Sequence, residues 1–425
     1  MQYLQAVDKK LYLLQIVFFV CLVCLSVSYK VDNEEAIRPL YTLGLVVIFL
    51  SFLSPRLFQS SFQDNFSSIF LNQGMFLFYL LIIYFLLTSV MNGERQIKDS
   101  IYWTYINIAA PFFILTFLKV NSFKMNFIIA SKIIVNFSLV ACLVAILVLV
   151  RIVDFEIGDY ALRQNFWTAF RLHGFLGQPT AMGGLIGFAL ILITYLGKID
   201  ENYKTKLKKY FLFFSLLLSG SRSAFVGLLL AYLPFIKLSN NLFNKSLKKT
   251  TLLISLFLVL IAIPVLINAI NFIGNLDLQA FVVGLSRYTM ETDNEASRIF
   301  IWKNVASQIY QFDISHLIFG LGPGSLAENY RAAFNTPLQI LHDYGLLGFC
   351  LFFLTIIYGL YRGLENYIKT DDPLYKLGLM LLIYGFTFNL FISSFLSPFF
   401  SFHAVSIILG LMIVNYSAQN LVSPK

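Results

Sequence analysis

Apolar residues run along this chain in blocks long enough to cross a bilayer, with short polar breaks between them. The blocks fall near 11–28, 38–53, 74–91, 101–119, 127–150, 180–197, 207–219, 223–238, 250–270, 338–361, 375–392 and 402–416. Most of them have roughly the 17–25 residues that a helix needs to cross a hydrocarbon core about 30 Å thick. The pattern predicts an all-α polytopic membrane protein with about 12 transmembrane helices and a long, partly helical outer (periplasmic) loop between spans 9 and 10. Helices 1–9 are expected in residues 1–270, the outer loop in 271–337 and helices 10–12 in 338–425. The longest stretch that lipid cannot bury is Ser297–Gly348. It holds Arg298, Lys303, Asp313, His316, Glu328, Arg331, His342 and Asp343, with the run Gly320-Leu-Gly322-Pro-Gly324 inside it.

Composition agrees. Hydrophobic residues make up 58% of the 425 and charged residues 12%, against about 25% charged in soluble domains. The first block follows Lys9 and Lys10 but has no small-residue cleavage site after it and runs into a second span, so it reads as a helix and not a signal peptide. Cys21, Cys24, Cys142 and Cys350 all lie in apolar runs and read as inert thiols.

An even number of spans puts both termini on one side. With the termini in the cytoplasm, 19 of the 31 basic residues fall on inner loops and span ends and 12 outside, which is the expected bias. The kind of base differs more sharply: 17 Lys and 2 Arg inside, 3 Lys and 9 Arg outside. Arginine grips phosphate and carboxylate with a two-pronged fork that lysine lacks. The outer face is therefore expected to hold an anionic ligand, unless these arginines merely pair with acids such as Asp154, Glu156, Asp159 and Glu295. The net charge of +9 comes largely from inner lysines facing anionic lipid and gives no reason to invoke nucleic acid.

The spans at 207–219 and 223–238 are only about 20 and 24 Å long. One continuous helix would put Lys204–Lys209 and Lys237–Lys249 on opposite sides. A hairpin keeps both lysine groups inside, with its Ser219-Gly-Ser-Arg222-Ser223 tip recessed below the outer surface and facing protein or a watery cavity. Arg222 at such a tip is a functional candidate, with snorkelling as its alternative. Upstream, Arg171-Leu-His173-Gly174 precedes a span carrying Gly183, Gly184 and Gly187, which reads as a loop packed closely on the bundle.

Ionisable groups inside the spans are almost confined to Arg222, His342, Asp343 and His403, fewer than a proton- or ion-coupled transporter uses. His173, His316, His342 and His403 are far apart and show no metal spacing. No phosphate-cradling or dinucleotide motif occurs on the inner side, so neither cofactor nor metal is expected. The Gly320–Gly324 run reads as a turn where backbone passes close to something.

Three pieces resemble the O-antigen ligase and polymerase superfamily of bacterial membrane glycosyltransferases. They are Leu218-Ser-Gly-Ser-Arg222, then Arg298-x-x-x-Trp302 followed by Phe319-Gly-Leu-Gly322-Pro-Gly324, and Asn335-Thr-Pro-Leu338-Gln-Ile-Leu341-His-Asp343-Tyr-Gly345-Leu-Leu-Gly348. Arg171-x-x-Gly174-Phe with Gln178-Pro179 is similar to a fourth. Where the family commonly has His-Asn, this chain has Phe334-Asn335. In the ligases that histidine is the proposed base, and phenylalanine cannot transfer a proton.

The resemblance implies glycosyl transfer from an undecaprenyl-pyrophosphate-linked oligosaccharide to a hydroxyl at the outer face of the cytoplasmic membrane. Arg222, Arg298 and Arg171 are then expected to clamp the pyrophosphate, and His173, Gln178 and Asn335 to contact substrate. The base is expected in His342 and Asp343, with His173, Glu295, Glu328 or no base as alternatives; Asp343 could equally hold His342 structurally. Thr336 is expected to cap span 10 and Pro337 to lie in its first turn, which puts His342 in the second turn. A polymerase joining lipid-linked repeat units is the preferred reading. A ligase acting on lipid A core and a lipid-linked glycan transporter are the alternatives. A chain-length regulator is the partner the resemblance suggests.

Overall fold

The computed structural model describes residues 75–91, 123–149, 179–200, 203, 205–238, 298–323, 325–326, 333, 335–391 and 402–415. Every regular element among them is a helix. These are α1 (Phe76–Met91), α2 (Phe123–Leu149), α3 (Pro179–Ile199), α4 (Lys206–Ser219), α5 (Arg222–Leu238), α6 (Arg298–Tyr310), α7 (Ile314–Phe319), α8 (Thr336–Thr370), α9 (Pro373–Asn389) and α10 (Phe402–Asn415). Among the described residues, Phe127–Leu147, Thr180–Ile199 and Thr336–Thr370 are long and apolar enough to cross a membrane. Among its described residues this is an all-helical membrane protein. Four of the expected spans, near 11–28, 38–53, 101–119 and 250–270, lie outside the described residues.

The bundle packs α3, α5, α8 and α10 around α9. Every residue of α9 from Leu377 to Asn389 is buried, so this helix is apolar all round, as a central helix must be. Small residues allow the close approaches. Gly187 and Gly227 both face Tyr384, and Gly410 lies against Gly378 and Leu382; small residues let helix backbones come this near.

The two short spans do form a hairpin. Gly183 faces Ser221 and Ala224, and Thr194 Oγ1 lies 2.6 Å from the Tyr232 hydroxyl, so α5 runs in the same direction as α3. Gly197 faces Thr205, just ahead of α4, so α4 runs the opposite way. The chain reverses at Gly220, in the left-handed region with φ 59° and ψ 23°, a conformation open to glycine at little cost. The tip reaches Gly183, about 6 Å along α3 from Pro179.

Span 10 departs from expectation. It is not one straight helix: Gly345 has φ 65° and ψ −170°, which breaks α8 into residues 336–344 and 346–370. The register shows how sharp the break is. Residues 346–370 run antiparallel to α9, with Phe352 against Phe386 at 6.3 Å between ring centroids and Gly363 against Leu379. Continued straight, Thr336 would stand about 24 Å beyond the level of Phe352. Instead Thr336 Oγ1 donates to Asn389 Oδ1 at 3.0 Å, and Asn389 is only about 4.5 Å beyond Phe386. Residues 336–344 therefore fold back over the end of α9. The cap also differs from expectation. Asn335 is the N-cap, its Oδ1 accepting from the Leu338 amide, so Thr336 opens the helix and Pro337 follows it.

Candidate active site

The fold-back sets the site. A helix that stops at residue 344 leaves its last carbonyls without partners of its own, and the Gly320–Gly322 loop supplies them. Leu321 N–H donates to His342 O at 3.1 Å and Gly322 N–H to Asp343 O at 2.8 Å. The Tyr84 hydroxyl on α1 donates to Tyr344 O at 2.8 Å. Gly320 (φ 80°) and Gly345 sit backbone against backbone: a Cβ on Gly320 would meet the Asp343 carbonyl, and one on Gly345 would meet the Ile318 carbonyl. The glycine run is thus a turn where backbone passes close to backbone, as its sequence suggested.

This clamp buries a histidine–aspartate pair. His342 and Asp343 are 2% and 1% exposed, with His342 Nδ1 at 2.8 Å from Asp343 Oδ1. A hydrogen on Nδ1 would be donated to that carboxylate oxygen. Two neighbours reinforce the pair. Gln339 Nε2 donates to Asp343 Oδ2 at 3.3 Å. Ser325 Oγ lies 3.4 Å from His342 Nδ1 and 3.3 Å from Asp343 Oδ1; its single hydrogen serves either that carboxylate or the Gly322 carbonyl at 2.8 Å. The Phe312 ring, 5.5 Å from the His342 ring, closes one side.

The loop around the pair has its own anchors. Trp302 Nε1 on α6 donates to Ala333 O at 2.9 Å, and Ile301, Val305, Leu326 and Ala333 form a small core under it. Asp313 caps α7, accepting from the His316 amide at 2.7 Å. That backbone hydrogen bond, followed by one from the Ser315 hydroxyl, holds its carboxyl below the usual range.

The expected site residues divide into groups. Arg222 is the first residue of α5, at the hairpin tip and half-buried. Lys376 Nζ over the Phe235 ring and Tyr384 beside Gly227 set the α5–α9 register, and that register puts Arg222 opposite Asn389. The tip and the fold-back therefore share one end of the bundle. Arg298 is the first residue of α6. Asn335 has its amide engaged, capping α8 through Oδ1 and donating to Leu390 O at 2.9 Å through Nδ2. Arg171, His173 and Gln178 lie outside the described residues, as do Glu295, Glu328 and Phe334. Sequence reasoning passed over Ser325, Gln339, Phe312 and Tyr84. Only Gln339 carried a signal, four residues ahead of Asp343 and so on the same helix face.

Residues 210–353 match the model of the O-antigen ligase family. That part of the chain is similar to the O-antigen ligase family. The matched stretch spans the hairpin tip, α6, α7 and the fold-back, and Arg222, Arg298, His342 and Asp343 all lie within it. The similarity supports an enzyme of the glycosyltransferase kind at this coarse level. No curated protein matches the chain.

Proposed function

We propose that the protein is an O-antigen or capsule-type polysaccharide polymerase. It transfers an undecaprenyl-pyrophosphate-linked glycan onto a hydroxyl of a second lipid-linked repeat unit. The observation that carries this reading is the buried His342–Asp343 pair, with Nδ1 at 2.8 Å from the carboxylate, at the same end of the bundle as Arg222. In the reaction, Nε2 takes the proton of the acceptor hydroxyl as its oxygen attacks the anomeric carbon. The bond from that carbon to the pyrophosphate oxygen breaks, and the departing lipid pyrophosphate gathers charge. Arg222, Arg298 and Arg171 meet that charge; preorganised donors of this kind are worth most where water is excluded. Asp343 orients the imidazole and stabilises its charged form, as carboxylates do in acid–base triads.

The lysine distribution supports cytoplasmic termini, which makes the site end the outer, periplasmic face of the cytoplasmic membrane. Residues 1–270, 271–337 and 338–425 then serve as the nine-span bundle, the outer loop and the closing three spans, and the substrate-contacting roles of His173 and Gln178 belong to the stretch just before α3. A chain-length regulator is the expected partner. Phe334 in place of the ligases' histidine favours the polymerase. The second reading, a ligase delivering finished glycan to lipid A core, draws on the ligase description of the matching family.

Deleting the gene in the source bacterium and resolving surface and lipid-linked glycans on a gel tests the two. The polymerase predicts that single repeat units still reach the surface acceptor while the ladder of longer chains disappears. Long chains stranded on undecaprenyl pyrophosphate would instead mark a ligase.

A further inference from the structure

Helix α7 buries none of its residues. For Ile314-Ser-His-Leu-Ile-Phe319 that is costly in water, because four of the six are large and apolar. Ile314 is 78% exposed and Phe319 51%, and Leu317 and Ile318 are exposed beside them. Ile314, Leu317 and Ile318 follow the i, i+3, i+4 spacing of one helix face. Ser315 and His316, which bond Asp313, lie on the other side. Tyr310, just ahead, is 93% exposed. This is the layout of a helix lying in a membrane interface, with a tyrosine where aromatic belts form.

The position agrees. Gly345 abuts the Ile318 carbonyl, so α7 is joined to the top of residues 346–370. That helix carries exposed Leu346, Leu347, Leu354, Ile357 and Tyr361, an apolar stripe continuous with α7. The 17 residues from Gly345 to Arg362, where the polar end of α8 begins, rise about 26 Å. A bilayer core is about 30 Å thick. With Arg362 at one boundary of the hydrocarbon, α7 lies within about one helical turn of the other.

We propose that α7 seats its Ile314–Leu317–Ile318 face in the bilayer leaflet on the site side, an interfacial anchor separate from the spanning helices. Through the Gly320–Gly345 clamp, this seat holds His342 and Asp343 at the depth of the lipid phosphates.

Site-directed spin labelling in nanodiscs tests this without any activity assay. Ile314→Cys and Ser315→Cys are each labelled in a background with Cys21, Cys24, Cys142 and Cys350 changed to Ala. The label at 314 is expected to collide freely with dissolved oxygen and poorly with a water-soluble nickel chelate; the label at 315 should favour the chelate relative to it. A 314 label open to the chelate would overturn the proposal by placing that face in water. One shielded from both reagents would overturn it too, showing that this chain or a second copy covers the face. The unsubstituted protein gives an independent reading. In bilayers containing a diazirine phospholipid, lipid adducts are expected on residues 310–319, and their absence beside labelled 346–361 would contradict the seat.

Discussion

A Cβ added at Gly345 would stand 2.6 Å from the backbone nitrogen of Gly320. These two glycines, 25 positions apart, let the broken end of a membrane helix and the loop before it share backbone hydrogen bonds, and the buried His342–Asp343 pair depends on that contact.

Gly345→Ala is expected to disrupt the site from the backbone outward. Its φ of 65° and ψ of −170° suit glycine alone, and strain of this kind costs about 1–3 kcal/mol before the clash with the Ile318 carbonyl is counted. The melting temperature in detergent should fall and turnover should be lost with it. An unchanged melting temperature would show that the fold-back is not held as described.

Tyr84→Phe tests the same clamp from α1. It removes the donor to Tyr344 O at 2.8 Å while leaving the Phe85–Tyr344 ring stack in place. The expected cost is about 1 kcal/mol of stability, that of one hydrogen bond, read by thermal or denaturant unfolding. A larger loss would mean that the hydroxyl does more than satisfy one carbonyl.

How much of this was legible in the sequence varied with the distance over which each feature is determined. Span positions follow from apolar runs, so α1, α3, α9 and α10 fall where hydropathy puts them. The α4–α5 hairpin followed from lysines that must stay on one side. The break in α8 did not, because Gly345-Leu-Leu-Gly348 has the composition of an ordinary membrane helix; only the backbone of Gly320 makes a bend there favourable. His342 and Asp343 stood out as charge next to an apolar run. Their supports did not, since Ser325 lies 18 residues from Asp343 and Tyr84 lies 260 from Tyr344. Thr336 looked like a cap by residue type, yet Asn335 has the extended backbone the position needs.

Arg222→Lys and Arg298→Lys should each cut turnover by about 10- to 100-fold, the equivalent of losing about 1.5–3 kcal/mol of charged hydrogen bonding, because a point charge does not replace a planar fork. Circular dichroism and expression should be unchanged. Full activity in both variants would remove the arginines from the account.

Ser325→Ala should have a smaller effect. Its contacts to His342 and Asp343 are long, 3.4 and 3.3 Å, and a neutral hydrogen bond is worth about 0.5–1.5 kcal/mol, so a drop in kcat of about two- to tenfold is expected. A loss as large as that of His342→Ala would make Ser325 a reacting group and not a positioning one.

The central claim is that the His342–Asp343 pair drives transfer between lipid-linked glycans. The most direct test reconstitutes the purified protein with undecaprenyl-pyrophosphate-linked single repeat units as the sole glycan and follows product length and released undecaprenyl pyrophosphate. Wild type should build a ladder with stoichiometric release, and His342→Ala and Asp343→Asn should each slow it by about 10²- to 10⁴-fold while remaining folded. A wild-type protein that builds no ladder from repeat units but transfers glycan once lipid A core is added, or a His342→Ala variant that turns over at the wild-type rate, would contradict the account.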